Sequence, residues 1–232
     1  MNKALSPDPL NVLMAADALA AEADELLHNA GLLAALTTVG RVRLHGSRLL
    51  GLMGRRELDV HVGCAAVTWA AWHALVTAVG ERFPVEQASC YFTDRPFFDP
   101  GRNAPLAMGE VVLLWRGHRW KVDLAILRTD EVPDQPIGST DGVSPYNEAI
   151  LKAVSADPAK RLSILALKQA TYGDPAFYRG HFRCFLSDAD PRPNFYSGTI
   201  YDAVIHHGVR TVDEFKAWLR KTQGVELSTI AP

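Results

Sequence analysis

Glu57 and Asp59 stand one residue apart in Glu57-Leu58-Asp59-Val60. Side chains on an extended strand alternate between faces, so these two carboxylates point the same way. A third acid, Asp123, interrupts the apolar run Val122-Asp123-Leu124. An unpaired carboxylate is expensive to bury, so an acid in such a run needs a partner. Three carboxylates drawn from two strands make an oxygen cage suited to Mg²⁺, which takes carboxylates together with phosphate oxygens. Gly46-Ser47 precedes Glu57 with nine residues between them. A small turn of this kind holds phosphate by its backbone N–H groups. Together these residue types point to metal-dependent chemistry at the phosphates of a nucleotide.

The elements that must position them can be read from pattern. Leu10, Leu13, Ala16, Ala20, Ala23 and Leu27 recur at helical spacing after Asp8-Pro9 and before Gly31, which predicts a helix over 9–29. Val42-Arg43-Leu44 reads as a strand entering the Gly46-Ser47 turn, followed by a short helical turn from Arg48 to Met53. Residues 57–62 alternate like a strand with one apolar face. Thr68 caps a helix running to about Phe83, with Trp69, Trp72, Leu75, Val76 and Val79 as its buried stripe. Val85 to Thr93 is a strand, and 94–109 reads as a long loop. Glu110–Trp115 and Arg119–Leu127 flank Arg116-Gly117-His118 as a hairpin whose second strand carries Asp123. Beyond a Pro- and Gly-containing stretch the pattern turns helical: Asp157-Pro158 opens one helix, and Thr211 to Glu214 forms a capping box for another. Residues 178–201 read as an aromatic-rich connection. The expected organisation is a first domain over 1–130, a linker over 131–145 and a mainly helical domain over 146–232.

Composition restricts the function classes. The chain has 232 residues, 48% apolar and 22% charged, with a formal net charge of −2. That is ordinary globular composition, with no strongly basic field of the sort a bulk nucleic-acid binder carries. Basic residues cluster locally at Arg41, Arg43, Arg48, Arg55 and Arg56. Cys64, Cys90 and Cys184 are an odd, scattered set and do not read as a disulfide framework. No signal-peptide pattern and no apolar run of about 18 residues is present, so the expectation is a cytoplasmic protein without a membrane span.

The order of strand, Gly-Ser turn, acid-x-acid strand, long helix, acid strand and helical tail resembles the nucleotidyltransferase superfamily. This superfamily includes polymerase beta-like enzymes and the small bacterial antibiotic and toxin–antitoxin nucleotidyltransferases. The resemblance rests on Leu44-His45-Gly46-Ser47, Glu57-Leu58-Asp59-Val60 and Trp120-Lys121-Val122-Asp123-Leu124-Ala125-Ile126, and covers roughly residues 40–127. It implies an α+β palm, a mixed sheet flanked by helices, followed by a helical C-terminal region. It also implies that Glu57, Asp59 and Asp123 are catalytic and hold Mg²⁺, two ions in all. Asp123 would help to deprotonate the attacking hydroxyl. Gly46 and Ser47 would contact the β- and γ-phosphates of an NTP substrate. Arg48 and Lys168 are further candidates for the triphosphate. The implied reaction moves a nucleoside monophosphate to an acceptor hydroxyl on a small molecule, a protein or the 3′ end of an RNA such as tRNA.

Two departures from the family pattern matter. The first acid is Glu57 where many members have Asp, and His45 separates Leu44 from Gly46. A second register pairs Asp59 with His61, but His suits Mg²⁺ poorly, so Glu57 and Asp59 fit better. If His61 takes an acid's position, the alternative is a catalytically silent member that binds a nucleotide or a partner protein. A Gly-Ser pair also serves as a plain helix cap, and an acid-x-acid strand as a plain solvated face. Other signals are weaker. Lys152, Lys160 and Arg161 compete with Lys168 for the triphosphate. Tyr91, Phe92, Phe97 and Phe98 could stack a base. His206-His207, and His181 with Cys184, lack partners at zinc-site spacing.

Overall fold

The computed structural model describes residues 8–93, 106–141, 143–172 and 197–223. They fall into two units, one of Asp17–Ser144 and one of Met1–Ala16 with Pro145–Pro232. The dividing point lies within the first helix, α1 (Pro9–Asp24), whose chain continues as a π-helical turn over Glu25–Asn29. Gly31 then adopts φ +86°, and α2 (Leu32–Thr37) begins.

The unit of residues 17–144 is a five-stranded mixed sheet with helices. Its strands are β1 (Arg41–His45), β2 (Glu57–Cys64), β3 (Val85–Thr93), β4 (Leu106–Trp115) and β5 (His118–Arg128). They lie in the order β1-β2-β5-β4-β3, with β2 and β5 parallel and every other pair antiparallel. The sequence had 106–109 in a loop, but Leu106 to Gly109 extend β4 by pairing with β3 and β5. Residues 94–105, including Phe97 and Phe98, lie outside the described set. Arg116 (φ 51°) and Gly117 (φ 76°) turn the β4–β5 hairpin with two consecutive left-handed residues, which matches strand twist.

Period-two alternation sorts the sheet into two faces. Val42 and Leu44, Leu58, Val60 and Val62, and Val122, Leu124 and Ile126 bury one face with Leu26, Leu27, Leu32 and Leu36 and with Trp72, Leu75 and Val79. The last three come from α4 (Trp69–Gly80), whose N-cap Thr68 accepts from the Ala71 N–H at 3.2 Å. Gly109 of β4 is required there, because a Cβ would lie 2.3 Å from the Trp72 ring. Trp69 was expected in that stripe but is exposed and packs on Phe92, with ring centroids 4.5 Å apart. The odd-numbered residues of β1, β2 and β5 project from the other face, where the candidate site lies.

The second unit is helical, with α5 (Pro145–Ala156), α6 (Pro158–Tyr172), α7 (Ser197–His207) and α8 (Val212–Gln223). Ile164, Leu165, Leu167, Ile200, Val204, Phe215 and Leu219 are buried here, and α6 packs on α5, α7 and α8. The capping box of α8 is present: Glu214 N–H donates to Thr211 Oγ1, and Thr211 N–H to Glu214 Oε2, both at 3.2 Å.

Candidate active site

Strand register assembles the site. Asp59 on β2 lies directly opposite Asp123 on β5, and Glu57 opposite Lys121. Parallel neighbours in register share a face, so all three acids project together. Across β1, His45 lies opposite Asp59, and across β4, Glu110 lies opposite Asp123. One row across the sheet therefore reads His45, Asp59, Asp123, Glu110. Gly46-Ser47 opens α3 (Gly46–Leu49) immediately after β1. Gly46 holds φ +58°, and a Cβ there would stand 1.9 Å from Asp59 Oδ2. The turn thus presses its bare backbone against the Asp59 carboxylate, a close approach that only glycine allows.

Basic side chains balance the acids. Lys121 Nζ donates to Glu57 Oε1 at 2.8 Å and to Asp123 Oδ2 at 2.9 Å, and lies 3.8 Å from Glu110 Oε2. Arg55 pairs with Glu57 Oε2. Burial favours a neutral Lys121, but Glu57 and Asp123 outweigh it and hold the ammonium protonated well above the usual lysine range. Asp123 moves the other way. Burial raises its carboxyl well above the ordinary carboxylate range, and Glu57 and Asp59 raise it further against the opposing pull of Lys121. Its Oδ1 is buried without a hydrogen-bond partner. Burial and the crowding of like charges thus leave the charged form of Asp123 under-compensated.

A divalent cation fits that imbalance: it would partner Asp123 Oδ1 and relieve the repulsion among Glu57, Asp59 and Asp123. Among the described residues, no three His, Cys, Asp or Glu side chains are already drawn together as a ligand set. The Lys121 ammonium stands between two of the candidates. Two histidines adjoin the acids. His45 and His61 stack with ring centroids 3.5 Å apart. Burial, with the charge of Arg43, pushes His45 down to about 4, and its Nε2 is buried without a partner. Arg43, opposite His61, donates to the backbone carbonyl of Asp141, while its Nε and Nη1 have no partner.

The other sequence candidates take varied positions. Ser47 follows Gly46 in the turn. Arg48 is turned to Asp24, with Nε 2.9 Å from Oδ1. Lys168 belongs to the helical unit, fully buried, with Nζ 2.8 Å from the Tyr201 hydroxyl and 4.9 Å from its ring centroid. Of the histidines, His207 packs on Trp218, whereas His181 and Cys184 lie outside the described residues. Sequence reasoning missed Lys121, Glu110 and the role of Arg55. Lys121 was legible, since period two puts it on the face of Asp123. Glu110 was legible too, because pairing outward from Trp115–His118 brings it opposite Asp123.

No family model matches the sequence, and no curated protein matches it. Solved structures do. The protein is similar to a chain of the poly(A) polymerase complex GLD-2–GLD-3, with a TM-score of 0.51 and 12% identity over 99% of this chain. It spans 66% of that chain's length. It is also similar to E. coli MS115-1 CdnC, solved with ATP, with a TM-score of 0.46 and 16% identity over 94% of this chain and 71% of that one. With its mixed five-stranded sheet flanked by helices, and acids paired across parallel β2 and β5, the chain is an α+β protein that shares its fold with the chain of the poly(A) polymerase complex.

Proposed function

We propose that the protein is a Mg²⁺-dependent nucleotidyltransferase that moves a nucleoside monophosphate from an NTP to an acceptor hydroxyl. The observation that carries this reading is the in-register pair Asp59–Asp123, with Gly46 backed against the Asp59 carboxylate. A strand of merely structural purpose needs neither the second acid nor the glycine.

In this reading Glu57, Asp59 and Asp123 hold two cations. When bound, these would neutralise the triphosphate and stabilise the entering and leaving oxygens of the displacement. The chain's own residues position and charge-balance the substrates. Backbone N–H groups at Gly46 and Ser47 bind the β- and γ-phosphates, and the left-handed Gly46 sets their direction. Asp123, beside the proposed cations, takes the proton of the attacking hydroxyl as general base. Arg48, next to Ser47, is the further proposed contact to the triphosphate, reached by exchanging Asp24 for phosphate.

The acceptor is a small molecule, a protein side chain or an RNA 3′ end. A net charge of −2 favours the first two. No helix among the described residues is long and apolar enough to cross a membrane, which is compatible with the expected cytoplasmic location.

The rival is a catalytically silent protein of the same fold, and one observation favours it: Glu57 is engaged by both Arg55 and Lys121. Substitution separates the two. Asp59→Ala and Asp123→Ala should each abolish transfer of label from an α-phosphate-labelled NTP, with circular dichroism unchanged. Labelling that persists in either variant refutes the assignment. Screening the four NTPs against small-molecule, protein and RNA fractions then identifies the acceptor.

A further inference from the structure

The Lys121 ammonium occupies a peculiar place. Its Nζ lies within hydrogen-bond distance of one oxygen of Glu57 and one of Asp123, on two neighbouring strands. Register fixes this, because Lys121 is the residue directly opposite Glu57 and two before Asp123. A cation shared by Glu57 and Asp123 would compete with Nζ for these two carboxylates. Lysine is suited to leave, being a compact charge on a flexible stem with no fixed donor geometry. A second seat is already close: Glu110 Oε2 is 3.8 Å from Nζ. Glu110 is opposite Asp123 across β4 and β5, and Gln87 Nε2 steadies it by donating to Oε1 at 3.0 Å. Arg55 holds the other oxygen of Glu57 and need not move.

We propose that Lys121 is a positioning residue that stands in for the metal between Glu57 and Asp123 in the metal-free protein and yields by moving to Glu110. Before the metal arrives, it holds the two carboxylates aimed at one point and offsets their repulsion. It also sets a threshold, since a divalent cation must displace an ammonium to bind. The inference rests on the reading that Glu57, Asp59 and Asp123 hold metal.

The test is direct binding of Mn²⁺ alone to the full-length chain, read as loss of the free-ion electron paramagnetic resonance signal. Lys121→Met should bind Mn²⁺ at least about tenfold tighter than wild type, because one positive charge at contact distance has gone. Metal-free Lys121→Met should melt lower than wild type and gain more from Mn²⁺. Lys121→Arg keeps the charge and should bind no tighter than wild type. If Lys121→Met fails to fold, Lys121→Gln serves the same comparison. Glu110→Gln should weaken binding more when Lys121 is present than in the Lys121→Met background. Equal effects in the two backgrounds overturn the move to Glu110. Wild-type binding that Lys121→Met leaves equal or weaker overturns the stand-in role and leaves the metal site intact. No Mn²⁺ binding by either protein overturns the metal reading and this inference with it.

Discussion

Gly46 is the position at which a single methyl group should do most harm. Its φ of +58° is left-handed, which costs a non-glycine residue about 1–2 kcal/mol. A Cβ would also fall 1.9 Å from Asp59 Oδ2, so the carboxylate itself would have to move. Gly51 separates these two effects, because it has φ +67° but nothing within 4 Å of its Cβ position. Gly46→Ala should therefore lose both Mn²⁺ binding and transfer. Gly51→Ala should lose only about 1–2 kcal/mol in denaturant titration while retaining both. Equal activity in the two variants would remove the Gly46–Asp59 contact from the account. At this scale the sequence was most legible where chemistry is expressed as spacing. Glu57, Asp59 and Asp123 could be read from alternation and from an acid in an apolar run. The His45–His61 stack and the turning of Arg48 to Asp24 could not, because rotamers set by tertiary neighbours have no period.

Among the elements, the strand that carries Asp123 is tied to the C-terminal part of α1 by Glu22. The Glu22 carboxylate accepts from Arg56 Nε at 2.9 Å and from the buried Trp120 Nε1 at 3.3 Å. Burial alone would raise the Glu22 carboxyl. The hydrogen bonds from Arg56 and Trp120 and the Arg56 charge prevail, and it is lowered overall. A lowered acid stabilises the fold fully above its ordinary value, and that stabilisation is lost as pH falls through the lowered one. Glu22→Gln should thus cost roughly 1 kcal/mol at neutral pH, the worth of a hydrogen bond to a partly screened ion pair. The gap to wild type should close as the pH of the unfolding titration moves into the strongly acid range. A gap constant with pH would mean that Glu22 acts by packing alone. Element types were legible wherever caps and periodicity agree, as at Thr68 and at Thr211 with Glu214. They were less so where pairing decides. Leu106 to Gly109 has weak strand preference and becomes strand through β3 and β5. Ser197 to Tyr201 reads as connection but is helical, with Ile200 and Tyr201 buried.

For the whole molecule, charge is the strongest constraint on the acceptor. The arginines clustered around the Gly-Ser turn are what made an RNA acceptor plausible from sequence. The folded chain engages them internally. Arg41 donates to the Val132 carbonyl at 2.9 Å and lies 3.5 Å from Asp134, and Arg43 donates to the Asp141 carbonyl. Arg48 is taken by Asp24, Arg55 by Glu57 and Arg56 by Glu22. Guanidinium groups already committed to carboxylates and carbonyls contribute little to a polyanion, and the net charge of −2 supplies no long-range attraction. A protein that neutralises 6–10 phosphates loses about a thousandfold or more in affinity between 50 and 200 mM salt. Here the acceptor's KM should change by less than about tenfold across that range, because counterion release makes no large contribution. A steep, log-linear loss of acceptor binding with salt would instead assign the acceptor to nucleic acid. It would also require at least some of these arginines to exchange their internal partners for phosphate. That exchange is testable at the most exposed of these pairs, where Asp134→Asn should then tighten acceptor binding by freeing Arg41.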